Sequence, residues 1–183
     1  MQDLQKRIAE ERSRLKAVRQ LLSAALELGG ERNAAWVAFY IAVGEYMQAA
    51  MHRLHLQDLR MTALLEAKAD LSTPDAQQAM AELAERLEGN QQHLQRYLAA
   101  KQGLIDEGVS GLDEYESAAL AYTQYIVTNM GHHPGTVNLA QAAFLPEDWE
   151  NMAFVSNADA QREQKLYKEV RSRLPGGLQI PAE

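Results

Sequence analysis

Histidine and carboxylate side chains are the only strong metal ligands in this sequence, which contains five histidines and 25 acidic residues but no cysteine. His55 comes three residues before Asp58, so on a helix this pair could reach one ion if other helices supplied further ligands. Two adjacent histidines, His132 and His133, occur in the stretch NMGHHPG, where Pro134 opposes continuation of a helix. These two either bind a metal or belong to an ordinary turn, and the local sequence favours the turn.

Other catalytic patterns are missing from the sequence. It has no glycine-rich phosphate loop, no Gly-x-Ser-x-Gly nucleophile motif and no cysteine for a histidine to activate. The lack of cysteine also excludes disulfides, thiolate zinc sites and iron–sulfur clusters. These absences favour a protein that is not an enzyme, and acid–base catalysis by some of the 25 acidic residues stays open as the alternative.

The charge of the chain limits its partners. Lys and Arg number 18 against 25 Asp and Glu, which gives a net charge of −7 and a surface that repels nucleic acid. The amino-terminal stretch MQDLQKRIAEERS is charged throughout, and no apolar run approaches the roughly 18 residues of a membrane span. These features predict a cytoplasmic protein with neither a nucleic-acid nor a membrane partner.

The elements that must position these side chains are predicted to be helices. Apolar residues recur at three- and four-residue steps from Leu4 to Gly29 and again from Trp36 to the LSTPD break at 71–75. A third helix, capped by Ser72 or Thr73 with Pro74 in its first turn, runs to the DEGVSG stretch.

A fourth helix is predicted from near Asp113 to Gly131, which suits a left-handed helix end. Shorter helices follow at 136–145, from Pro146, and at 158–174. The predicted fold is all-α, an antiparallel four-helix bundle with short additional C-terminal helices. One domain, 1–174, would be followed by a C-terminal tail, 175–183.

Each predicted bundle helix carries a polar residue on or beside its apolar stripe. These residues are Arg12, Asp58, Asn90 with Gln91, and Asn129. Buried polar groups must be paired, hydrated or bound to a ligand, so the pattern predicts a polar layer inside the bundle. The alternative is that the stripes reach solvent at these points, where a polar residue costs little.

A family resemblance is carried by the stretch YTQYIVTNMGHHPGTVNLAQAAFLPEDWENMAFVSNAD. It resembles the last part of bacterial hemerythrin-like (HHE cation-binding) proteins in the order of these residues: Tyr122, Leu145, Asp148, Trp149, Ala153, Phe154, Asn157 and Asp159. Helix one is similar to the opening helix of that family, and Tyr46 to Asp58 resembles its second helix. The resemblance implies a four-helix bundle.

The resemblance also places the family's metal-ligand positions on this chain, where most are substituted. They fall on Arg12, on Leu54 and Asp58, on Gln91 or His93, and on Asn129 and His133, with His55 one residue out of register. Among these, four side chains could bind iron: His55, Asp58, His93 and His133. Because a di-iron centre needs five or more such ligands, no cofactor is favoured and iron is the alternative. We hypothesise that the Arg12 guanidinium replaces the metal and pairs with Asp58.

Three functions compete on this basis. The favoured one is a metal-free hemerythrin-like bundle that acts as a binding or regulatory module for a partner protein or small ligand. The second is a non-heme iron protein with substituted ligands. The third is a helical adaptor that forms a homodimer through the apolar stripe of helix one, from Leu4 to Ala25.

Overall fold

The protein consists of helices joined by short connections. The computed structural model describes residues 2–131 and 133–179, and these contain no strand. The helices are α1 (Gln2–Leu28), α2 (Ala34–Lys68), α3 (Pro74–Glu107), α4 (Leu112–Asn129), α5 (Pro134–Ala143), α6 (Pro146–Met152) and α7 (Asn157–Ser172), with a 3₁₀ turn at Gly108–Gly111. The prediction of an all-α fold is confirmed. His132 lies outside the described residues.

Side-chain caps fix where the long helices begin. The Asn33 side chain accepts hydrogen bonds from the backbone N–H groups of Ala35 and Trp36 at the start of α2. Thr73 caps α3 by accepting from the N–H of Ala76, and Pro74 is the first helical residue. The predicted start of the third helix is therefore correct.

The predicted end of the fourth helix needs correction. Gly131 does not have the expected left-handed conformation, because the described glycines with positive φ are Gly29, Gly108 and Gly177. Within the predicted tail, 175–183, Pro175 is buried and Leu178 packs against the main core. The described part of this segment thus contributes to the packed structure.

Helix α2 holds the fold together. It contacts α1, α3, α5, α6 and α7, while α4 packs against α3 and α1. Although α2 has 35 residues, none of the described helices combines the length and apolar character needed to cross a membrane. Nearly every other helix is therefore positioned by contact with this one.

Apolar side chains form two separate cores along α2. The main core lies against the first half of α2 and includes Val18, Leu22, Phe39, Met47, Tyr97 and Tyr115. The second core lies against its last turns and contains Leu65, Leu83, Ala140 and Phe144, with Trp149 packed on it. Lys68 at the end of α2 holds α6 in place through an ion pair with Asp148, whose carboxylate also accepts from the N–H of Leu145.

Candidate functional site

An interior layer of polar side chains lies between the two cores along α2. It is formed by these residues: Glu11, Arg53, Asp58, Arg86, Asn90 and Glu163. Of the residues predicted for such a layer, Asp58 and Asn90 lie in it. Because burying a charge is costly unless it is paired, the partners of each group decide what the layer can do.

Arg53 of α2 is the centre of a buried ion cluster. Its guanidinium binds both carboxylate oxygens of Glu163, with Nε donating at 2.8 Å and Nη2 at 3.2 Å. Its Nη1 lies 3.2 Å from a carboxylate oxygen of Glu11. Arg53 is 9% exposed, and the two glutamates are each 3% exposed. This cluster joins α1, α2 and α7 across the interior.

The charges of this cluster balance one another. Arg7 lies 3.5 Å from Glu11 and donates to the backbone carbonyl of Ala153, so two arginines meet two glutamates. Burial by itself would lower the pKa of Arg53, but the hydrogen bond and the charge of Glu163, together with the charge of Glu11, raise it. The guanidinium therefore stays protonated, which suits a structural ion pair and does not suit proton transfer.

A second polar group surrounds Asp58. The Arg86 guanidinium of α3 lies 3.5 Å from the Asp58 carboxylate, and the Arg86 side chain is 10% exposed. Burial raises the pKa of Asp58 although Arg86, His55 and His133 lower it. Two of the other predicted ligands, His55 and His133, are therefore near enough for their charges to influence the Asp58 carboxylate.

The hypothesis that Arg12 pairs with Asp58 is wrong. Arg12 is exposed, whereas its neighbour Glu11 points into the interior. One residue corresponds to a rotation of about 100° around a helix, so a shift of one position exchanges an inward for an outward side chain. A guanidinium does face Asp58, but it is supplied by Arg86.

Gln91 and Asn129 are also exposed, so their predicted place in the buried layer is wrong. The buried residue at this level of α3 is Asn90, which is 2% exposed and accepts a hydrogen bond of 2.9 Å from the Tyr122 hydroxyl. Asn129 is the last residue of α4, where its side chain donates to the Tyr125 carbonyl. For Gln91 the error is a shift of one position, because its neighbour Asn90 is the buried residue. For Asn129 the reason is that α4 ends at this residue.

His93 and His133 each contact a residue of α4. His93 is half-buried and stacks on the Tyr125 ring, with 4.4 Å between ring centroids. His133 immediately precedes α5, and its Nε2 lies 2.9 Å from the Asn129 carbonyl. A nitrogen that donates to a carbonyl cannot at the same time bind a metal. Burial and Arg86 lower the pKa of His133.

These residues do not fit the di-iron centre that the resemblance implies. Within residues 2–131 and 133–179, no three His, Asp or Glu side chains converge as metal ligands would. Arg86 in addition places a positive charge 3.5 Å from Asp58, where it would repel a cation. In the described part of the chain, the Nδ1 of His55 and the Nε of Arg86 are buried without a hydrogen-bond partner.

Tyrosines fill the main core beside the polar layer. The hydroxyls of Tyr97 and Tyr115 are 2.6 Å apart, and Tyr115 donates to the Tyr40 carbonyl at 2.9 Å, so Tyr97 is the donor to Tyr115. Burial raises the pKa of Tyr97, Tyr115 and Tyr122 still further above neutral pH. Tyr115 and Tyr122 thus belong to the core and do not line a pocket.

A groove with a volume of about 730 Å³ lies on the surface between α1 and α4. We call it the α1–α4 groove; its lining comprises Ser23, Leu26 and Glu27 of α1 and extends along α4 from Glu116 to Thr128, with Leu120, Thr123 and Val127 between them. Leu120 is 49% exposed and Val127 is 60% exposed. Two large apolar side chains one heptad apart on a solvent-facing helix are typical of a surface that binds another helix.

Apart from Asp58, the charged members of the polar layer were not predicted, although the sequence carried a signal for Glu11 and Glu163. Glu11 precedes Leu15 by four residues and Val18 by seven, and Glu163 has the same relation to Val170. Both glutamates therefore lie in register with an apolar stripe, as buried positions do. The identity of their partner, Arg53, depends on three helices meeting and has no counterpart in the sequence pattern.

Comparison with known proteins gives no relative on which to base an assignment. No family model, no curated protein and no solved structure matches this chain.

Proposed function

We propose that this protein is a non-catalytic, hemerythrin-like four-helix bundle that binds a partner through the α1–α4 groove. The observation that carries the proposal is the contrast between an interior filled by its own side chains and a surface groove with exposed apolar residues. Arg53 and Asp58 are paired within the chain, and the main-core tyrosines are fully packed. The groove is open to solvent, so a partner can reach its apolar side chains.

The arrangement of the first four helices supports the bundle part of the proposal. Contacts join α1 to α2, α2 to α3, α3 to α4, and α4 back to α1. Short connections, such as residues 29–33 between α1 and α2, favour antiparallel neighbours. A closed ring of this kind is what a four-helix bundle requires.

Binding of the neutral dye Nile red tests whether the groove accepts apolar groups. We expect the native protein to enhance the dye's fluorescence and the double variant Leu120→Gln/Val127→Gln to lose most of this enhancement. Both replaced side chains are largely exposed, so folding stability should change by no more than about 0.5 kcal/mol each.

The matched control is Leu59→Gln/Ile105→Gln, which removes two side chains of similar exposure, 45% and 44%, from α2 and α3. These residues do not line the groove. Equal loss of dye binding in both double variants would show that the groove is not the site and would overturn the proposal.

The iron alternative predicts a different result. Because the residues around Asp58 do not fit a di-iron centre, we expect no stoichiometric metal in protein purified without a histidine tag. Elemental analysis with a visible spectrum checks this prediction. Two irons per chain with an oxo-bridge absorption band would overturn the metal-free proposal and direct attention to His55, Asp58, His93 and His133.

The adaptor alternative receives less support from the geometry. Val18, Leu21, Leu22 and Ala25, which form the apolar stripe of α1, are buried within the same chain. A homodimer built on this stripe would have to displace α2, α4 or α7, all of which contact α1.

A further inference from the structure

We infer that the partner of the α1–α4 groove is a positively charged amphipathic helix of another protein. This inference rests on the proposed function, because it names the kind of partner that the same groove would bind. It follows from the shape of the groove, the spacing of its apolar residues and the sign of its charges.

The groove has the length of a short helix. Its α4 side extends from Glu116 to Thr128, twelve residue steps, which corresponds to about 18 Å along the helix axis. An approaching helix of three to four turns would lie against this length. Leu120 and Val127 are seven residues apart, so they occupy the same face of α4, two turns from one another.

The apolar surface continues onto α1. Leu26 lines the groove opposite α4 and is half-buried, while Leu120 and Val127 expose about half or more of their surface. Helices that bind in such grooves insert apolar residues at positions i, i+3 or i+4, and i+7. The partner helix should therefore carry an apolar stripe with this spacing.

The charges of the groove are negative. Glu27 on α1 and Glu116 on α4 line it, and its lining contains no Lys, Arg or His. Arg32 does not line the groove. Its guanidinium lies 3.8 Å from the Glu116 carboxylate and offsets part of the negative charge of that group. Lys or Arg residues beside the apolar stripe of the partner would pair with the remaining negative charge.

A second copy of this chain is a poorer occupant. Each copy has a net charge of −7, and an isologous contact would bring Glu27 and Glu116 of one groove close to the same residues of the other. Like charges placed against one another oppose association. A basic helix satisfies both the apolar and the charged parts of the groove.

The test uses three synthetic peptides of about 18 residues, the length of an amphipathic helix of five turns. The first has leucines at helical spacing flanked by lysines, the second has glutamate in place of lysine, and the third is a scrambled version of the first. Fluorescence anisotropy measures their binding to the whole protein. We expect the first peptide to bind at least about tenfold more tightly than the other two.

Two variants separate the apolar and the charged contributions. Leu120→Gln/Val127→Gln preserves charge and should weaken binding of the lysine peptide by about tenfold or more. Glu27→Gln should weaken it by only a few fold, and this difference should diminish as salt is added, because rim charges are screened. Leu59→Gln/Ile105→Gln should leave binding unchanged.

Three outcomes would overturn the inference. Equal binding of the scrambled peptide would show that only net charge matters, and tighter binding of the glutamate peptide would reverse the sign of the partner. Self-association in sedimentation experiments that is lost in Leu120→Gln/Val127→Gln would make a second copy the occupant. If no peptide binds while Nile red still reports the groove, the partner class fails but the proposed function stands; if neither binds, both fail.

Discussion

Replacing Arg53 by alanine should lower the free energy of unfolding by about 3–5 kcal/mol, because it leaves two buried carboxylates without their shared cation. Glu11 and Glu163 are each 3% exposed, so water cannot take the place of the guanidinium without opening the interior. The loss would be a large part of the roughly 5–15 kcal/mol that stabilises a domain. Urea unfolding followed by circular dichroism measures it.

The matched control is Arg173→Ala. Arg173 also pairs with a glutamate, Glu169, at 2.8 Å, but both side chains are about half exposed. Surface pairs of this kind contribute roughly 0–1 kcal/mol. An equal effect of the two substitutions would mean that the Arg53 cluster is hydrated and that the interior polar layer is not closed.

A third variant distinguishes lost pairing from lost packing. Replacing Arg53 by methionine together with Glu11→Gln and Glu163→Gln removes all the charges of the central pairings. Because a buried ion group can often be replaced by neutral side chains at little cost, this variant should recover much of the stability that Arg53→Ala loses. If the triple variant does not recover stability, the loss in Arg53→Ala comes from the packing of the aliphatic part of the arginine side chain.

Leu65→Ala should lower the free energy of unfolding by about 2–5 kcal/mol, the range observed when a buried leucine is truncated and leaves a cavity. Leu65 is fully buried in the second core, against Leu83, Ala140 and Phe144. The same urea experiment measures the change, and the methyl resonances of Leu83 and Leu139 should shift because both belong to this core.

Leu59 on the same helix provides the comparison. It is 45% exposed, so Leu59→Ala should change the free energy of unfolding by no more than about 0.5 kcal/mol. If Leu65→Ala were as mild as this control, α5 and α6 would not be packed firmly against α2, and the second core would contribute little to the fold.

The sequence by itself determined the class of fold and most helix boundaries. Apolar periodicity predicted helices throughout, and the predicted fourth helix, from Asp113, differs by one residue from α4 at its start. Thr73 and Pro74 marked the start of α3 because capping and proline chemistry act within a few residues. Local interactions of this kind are encoded by neighbours along the chain, so sequence patterns can reveal them.

The candidate site was only partly predictable. His55 and Asp58 lie three residues apart on one helix, and the charge of His55 does lower the pKa of Asp58. Arg86 and Arg53, which decide the charge of the interior, were missed because each one pairs with residues of other helices.

Only the tertiary structure decided which of two neighbouring polar residues faces inward. Glu11 and not Arg12, and Asn90 and not Gln91, are buried. An apolar stripe covers about 100° or more of a helix, which is also the angle between successive residues, so the sequence leaves two adjacent positions nearly equivalent. The choice between them is made when the helices pack, because a buried charge is tolerated only where a partner from another helix meets it.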